Sequence, residues 1–245
     1  MRKIISILCT YFCIVSASNA DNLIVGVEST QYFPQYQYEN GEYKGYAREL
    51  LDLFAKHNGH SLTYTALPVK RLLDAFLASE IDLKYPDNKY WAGDMKAKHA
   101  VNYSDPVVDY IDGTLVLPEN LGKGVEELKR LGTLRGFTAF DYFPHIEAGT
   151  VKIKENNNLE SLIKQVRNKR IDGVYFNVNV AYYYLLNDQS SDKPVFDASL
   201  PHTRSSYALS SIKRPDVIKQ FNAFLVSYAD EVAALKTKYK VEEGL

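Results

Sequence analysis

Thiol chemistry has almost no material in this sequence. Only two of its 245 residues are cysteines, Cys9 and Cys13, and both fall within the first twenty. The rest of the chain has no disulfide, no thiolate nucleophile and no Cys-based metal site. A basic excess is lacking too. The 29 Lys+Arg stand against 30 Asp+Glu, for a formal charge of −1, without the electrostatic footprint of a nucleic-acid binder. After the N-terminus no run reaches the ~18 apolar residues of a membrane helix. There is no Gly-x-Ser-x-Gly elbow, no His-Glu-x-x-His helix and no phosphate loop. His57, His60, His99, His145 and His202 are scattered without the paired spacing of a metal site. No cofactor is implied. Tyrosine, by contrast, is abundant, with 19 residues against a single Trp. Its apolar ring and polar tip suit half-wet clefts that hold polar ligands.

The first twenty residues read as an export signal. Arg2 and Lys3 give a positive start, Ile4 to Val15 is mostly apolar, and Ser18-Asn19-Ala20 supplies small residues for cleavage after Ala20. Cys13 follows Thr10-Tyr11-Phe12, not the small residues of a lipid-attachment signal. The predicted mature chain begins at Asp21 and is two charges more acidic than the precursor.

Hydrophobic patterning predicts a repeated grammar. Leu23 to Val27 reads as a buried strand, Gly45 to His57 as a helix and Ser61 to Ala66 as a strand. Pro68 then opens a helix with Val69, Leu72, Leu73, Phe76 and Leu77 on one stripe, and Ile81 to Leu83 begins a third strand. The same β-α-β-α-β order returns with strands at 131–134, 151–153 and 171–176. Helices separate those strands, and another is expected from Asn179 to Leu186. Such alternation predicts two α/β lobes, each a helix-covered parallel sheet. Two strand-like runs, 106–117 and 205–212, read as crossings between them. The tail from Pro215 to Lys240 reads as helical. The expected division is a signal peptide at 1–20, a first lobe at 21–108, a second at 109–204, and a return to the first at 205–245.

Five short words in this order carry a resemblance: Tyr32-Phe33-Pro34 with Asn40 to Tyr46, Leu77-Ala78-Ser79-Glu80-Ile81-Asp82, Val101 to Pro106, Leu134-Arg135-Gly136-Phe137-Thr138, and Arg170-Ile171-Asp172-Gly173-Val174. Behind an export signal, the chain resembles the extracellular solute-binding proteins of family 3. The resemblance covers nearly all of residues 21–245 and implies the periplasmic type II binding-protein fold, an α/β architecture of two Rossmann-like lobes joined by two hinge strands. It further implies capture of a small polar ligand, amino-acid-like or another small metabolite, for the permease of an ABC importer in the inner membrane, by a monomer without nucleic-acid partners. Such relatives grip an α-amino acid with an Arg six residues before the aromatic of the Val101–Pro106 word and an Asp five residues after the Asp of the Arg-Ile-Asp word. Here those positions hold Ala97, flanked by Lys96 and Lys98, and Asn177. Lysine supplies charge without the planar fork, and Asn accepts a hydrogen bond without neutralising an ammonium.

In open α/β sheets the ligand lies beyond the carboxyl ends of the strands, which directs attention to four loops. Tyr32 and Phe33 match an aromatic position that stacks on the ligand in relatives. Within Lys84 to Trp91, the residues Tyr85, Asp87 and Trp91 read as pocket wall, or else Pro86-Asp87-Asn88 nucleates a solvated turn. Arg71 sits in the first turn of its helix, where a cation is unfavourable against the helix dipole, so it awaits a bound anion or a surface carboxylate. Phe137 and Thr138 precede a helix whose free N–H groups suit an oxygen ligand, with Thr138 also fit to cap it. Asn177 completes the candidate set. No catalytic residue is assigned. The alternatives are a periplasmic dehydratase-like enzyme on the same fold, with Glu28, Asp87 or Asp141 as acid or base, and an orphan sensor for a membrane partner.

Overall fold

A computed structural model describes residues 21–243, so the expected signal peptide lies outside the described residues. The chain runs through β1 (Asn22–Glu28), β2 (Gln31–Tyr32), β3 (Tyr36–Glu39), β4 (Glu42–Lys44), α1 (Tyr46–Asn58), β5 (Ser61–Leu67), α2 (Val69–Leu77), β6 (Leu83–Asp87), α3 (Gly93–Lys96), β7 (Asn102–Tyr103) and β8 (Val108–Val116). It continues through β9 (Arg130–Leu134), α4 (Phe143–Glu147), β10 (Lys152–Asn156), α5 (Leu159–Arg167), β11 (Gly173–Asn177), α6 (Val178–Tyr184), β12 (Val195–Phe196), β13 (Thr203–Ser211), α7 (Pro215–Ser227) and α8 (Ala229–Tyr239). No helix of the described residues is long and apolar enough to cross a membrane.

Two parallel half-sheets form with the same strand order. In the first, β1 lies between β5 and β6. In the second, β9 lies between β10 and β11. The long strands β8 and β13 join them. They pair antiparallel from Thr203↔Asp112 to Tyr207↔Val108. Beyond that ladder β8 pairs with β11 and β13 with β6, through a register shift at Ala208 to Ser210.

The two halves repeat one packing device. α2 and α5 are each nine residues long, β6 and β11 each five, and each second copy is displaced by 90 residues. Gly26 in β1 lies under Leu72 and Ile81; a Cβ there would sit 2.7 and 2.2 Å from their side chains. Gly132 in β9 lies the same way under Leu162 and Ile171, at 2.8 and 2.5 Å. Each strand needs glycine because the following helix packs directly on its backbone. The Ile-Asp words complete the device. Asp82 Oδ2 accepts the Ile24 N–H at 2.8 Å, and Asp172 Oδ2 accepts the Arg130 N–H at 2.7 Å. These aspartates pin the strand entrances and face away from the cleft.

Two expectations change. Leu83–Asp87 is a fully buried strand rather than a bulky loop or a solvated turn. Its lysine is tolerated because Asp87 neutralises it. The C-terminal helical run is broken at Tyr228 into α7 and α8. The stretch after β1 folds into a small antiparallel sheet, β2-β3-β4, over the cleft.

Candidate functional site

A cavity of about 430 Å³ lies between the halves at the carboxyl ends of their strands. The first half contributes Glu28 from the end of β1, Tyr32 and Tyr36 from the small sheet, Val69, Lys70, Leu73 and Asp74 from α2, and Lys84 and Asp87 from β6. Trp91, Met95 and Lys96 follow from the α3 region. The joining strands give Asp112 and Tyr207, and the second half gives Gly136, Phe137, Thr138, Phe140, Tyr175 and Phe176.

The halves touch across this space. Tyr32 packs on Phe137 and Phe176 at ring separations of 5.7 and 5.1 Å, while stacking on Tyr36 at 5.0 Å. Gly136, at φ +89°, approaches Val69 so closely that a Cβ would meet the valine Cβ at 3.4 Å. Tyr207 stacks on Tyr110 at 4.3 Å and meets the edge of Trp91 at 5.8 Å. Aromatic rings therefore wall much of the cavity, with Val69, Leu73 and Met95 adding aliphatic surface, and leave room for a flat or apolar body.

The charges in the cavity are arranged with unequal completeness. Lys84 and Lys96 both donate to Asp87 Oδ1, at 3.0 and 2.6 Å. Ser210 donates to Asp87 Oδ2 at 2.6 Å, and the Asn88 N–H donates to Oδ1 at 2.8 Å. Burial pushes the Asp87 carboxyl up, but Lys84 and Lys96 more than offset it and hold it below the ordinary carboxylate range. Burial likewise lowers the Lys96 ammonium, with Asp87 pulling the other way. Lys84 also bonds the Pro86 carbonyl and Lys96 the Asn88 carbonyl, at 2.8 and 3.1 Å. Glu28 is raised by burial while its Oε2 accepts the Tyr36 hydroxyl at 2.5 Å. Asp112 differs: its Oδ1 is out of reach of solvent and has no hydrogen-bond partner. Burial, then Asp141 and Glu28, push its carboxyl up to about 7. Asp141 itself accepts from Thr203 and, at 3.2 Å, from the Tyr175 hydroxyl.

Of the residues singled out from the sequence, Tyr32, Asp87, Trp91, Phe137 and Thr138 line the cavity. The donors that Asp87 takes come from the chain itself. Thr138 caps no α-helix, because α4 starts five residues later at Phe143. Four residues lie outside the lining. Phe33 packs between Tyr183 and Tyr239, at 4.8 and 5.9 Å. Arg71 is exposed. Tyr85 points to the opposite face of β6 from Lys84 and is buried in the core. Asn177 caps α6 through the Val180 N–H and donates to the Tyr207 hydroxyl at 3.2 Å. Sequence reasoning passed over Lys84, Lys96, Asp112, Tyr175 and Tyr207 as site residues. Asp112 had a signal: it is a carboxylate inside the apolar run 107–117.

No protein-family model and no curated protein sequence matches the chain. Solved structures do. An arginine transport-system periplasmic binding protein from Legionella pneumophila superposes with a TM-score of 0.71 at 15% identity, covering 90% of this chain and 100% of its own. An ABC uptake transporter substrate-binding protein from Streptococcus pneumoniae, with bound histidine, gives 0.71 at 20% identity over 89% and 92%. The GluR0 ligand-binding core in complex with L-glutamate gives 0.72 at 17% identity over 90% and 99%. The chain has the type II periplasmic binding-protein fold.

Proposed function

We propose that this chain is an exported solute receptor that captures a small polar ligand and delivers it to the inner-membrane permease of an ABC importer. The carrying observation is the aromatic-walled cavity enclosed between two half-sheets joined through the β8–β13 crossing. Two bodies hinged in this way trap a ligand by closing on it. The moving lobes in this reading are 109–204 on one side and 21–108 with 205–245 on the other. The solved neighbours include ABC substrate-binding proteins, which supports the transport role. The export signal, cleaved after Ala20, sends the monomer to the periplasm. Neither Ala97 nor Asn177 carries charge, so the ligand is read by other groups than an Arg–Asp pair.

A thermal-shift screen of the mature protein against amino acids, small peptides, amines and sugars tests the reading. A ligand at 100 times its Kd adds about 2.7 kcal/mol of stability, or a Tm rise of roughly 5–10 °C for a chain of this size. A screen in which no class of solute raises Tm would end the receptor reading. A second reading, acid–base catalysis in the periplasm, draws on Asp112, whose carboxyl titrates near neutrality inside a cavity. Conversion of any hit to product, followed by NMR, would favour the enzyme.

A further inference from the structure

We propose that Asp112 is the ligand's anchor: the cavity takes an organic ammonium ion with a flat apolar body, needs no carboxylate on it, and exchanges a proton for it on binding. This rests on the solute-receptor reading and names the ligand class for that site.

Polar partners in the cavity decide the matter. The charges of Lys84 and Lys96 are already committed to Asp87 and to backbone carbonyls. Glu28 holds the Tyr36 hydroxyl. Asp112 alone among these acids takes no hydrogen bond from the described residues, and with Oδ1 shut off from solvent it is Oδ2 that the cavity reaches. It sits on the central joining strand, directly opposite Asn177 of β11 on one side and Thr203 of β13 on the other. Side chains directly opposite across a ladder share a face, and both neighbours are engaged: Asn177 by Val180 and Tyr207, Thr203 by Asp141.

The titratable groups that interact with Asp112 are Glu28 of β1, Tyr32 of β2, Tyr110 of its own strand, Asp141 of the turn before α4, Tyr175 of β11 and Tyr207 of β13. All are acids or phenols. Lys84 acts on Glu28 instead, and Lys84 and Lys96 on Asp87, while Lys70 and Asp74 stand at the exposed α2 side of the cavity. An ionised carboxylate in this position calls for a cation, and a ring face beside it adds cation–π attraction. Tyr32, Phe137 and Phe176 pack on one another as an aromatic wall for the apolar body to lie against.

With the cavity empty, the carboxyl is half protonated near pH 7. The incoming ammonium binds the ionised form, and the displaced proton leaves to solvent. The observed affinity then follows the ionised fraction, which rises about tenfold between pH 6 and pH 8 for such a group.

Calorimetry on the mature protein with 2-phenylethylammonium, 3-phenylpropionate and L-phenylalanine tests this. These probes share one body and differ in charge. The expected result is tightest binding of the ammonium, about tenfold tighter at pH 8 than at pH 6. Titrations in two buffers of different ionisation enthalpy should show nearly one proton released at pH 6. Asp112→Asn, a neutral shape match, should abolish both the pH dependence and most of the affinity. Equal wild-type affinity at pH 6 and 8 overturns the proposal without reference to any variant. So does tighter binding of the carboxylate probe, or full affinity in Asp112→Asn. If these probes fail while another solute in the Tm screen binds, the ligand class falls and the receptor reading stands. A screen without any hit ends both.

Discussion

Replacing Asp87 with Asn keeps the shape of the side chain and removes the charge that two buried ammonium groups share. Asp87 is 0% exposed, and Lys84 and Lys96 are each 5% exposed. The wild-type cluster of two cations and one anion carries one net positive charge; the variant carries two. Burying a charge without its partner costs about 3–5 kcal/mol. Against a domain stability of roughly 5–15 kcal/mol, that is a large fraction. Tm should fall by roughly 6–20 °C. Urea unfolding at pH 7 followed by circular dichroism measures the loss, with the slope unchanged if both proteins unfold from the same compact state. Adding Lys96→Met to the variant removes one of the stranded cations and should restore part of the stability, with a coupling of about 0.5–3 kcal/mol. The acid side gives a second check. The Asp87 carboxyl is held below its ordinary 3.8 in the folded chain, so its contribution is full above that value and is lost as pH falls through the folded one. Wild type and Asp87→Asn should therefore converge in acid. A loss under about 1 kcal/mol, or strict additivity with Lys96→Met, would refute the view that Asp87 neutralises both lysines.

Asp112→Asn should behave oppositely. Its carboxyl is raised from 3.8 to about 7, so the ligand-free wild type loses stability as pH rises between those values while the variant does not. The gap should widen with pH to on the order of 1–4 kcal/mol at pH 8 in favour of Asn, and parallel unfolding curves at pH 5 and pH 8 would expose a flat difference if this is wrong. Gly136→Ala places a side chain in a left-handed backbone conformation beside Val69. It should cost roughly 1–2 kcal/mol in urea unfolding, and a neutral outcome would show that the loop relaxes. Arg71→Ala should leave ligand affinity within about twofold, because Arg71 is exposed outside the lining; a tenfold loss in calorimetry would put it back in the site.

Much of the architecture is legible in local patterning. The stripe from Val69 to Leu77 specifies α2, and Leu159 to Val166 specifies α5, because apolar spacing alone decides which helical face turns inward. The glycine in each first strand and the Ile-Asp word after each second helix mark the same device twice. Even so, the word Arg170-Ile171-Asp172 reads as a pointer toward a ligand position at Asn177, whereas its aspartate holds the entrance of β9 and Asn177 holds the start of α6.

The site was less legible. Lys84 looks like a loop residue in isolation, since nothing nearby in sequence says that Lys96 and Ser210 will meet it at Asp87. Asp112 looks like an irregularity in an apolar crossing strand until β11 and β13 close on both its sides. Residue order and hydrophobic period thus settled the helices, the strands and their doubled arrangement, because those depend on neighbours a few positions away. Which charges are cancelled, which carboxylate is left facing the cavity and which rings wall it were decided only by the fold, because desolvation and Coulomb interaction depend on distance in space.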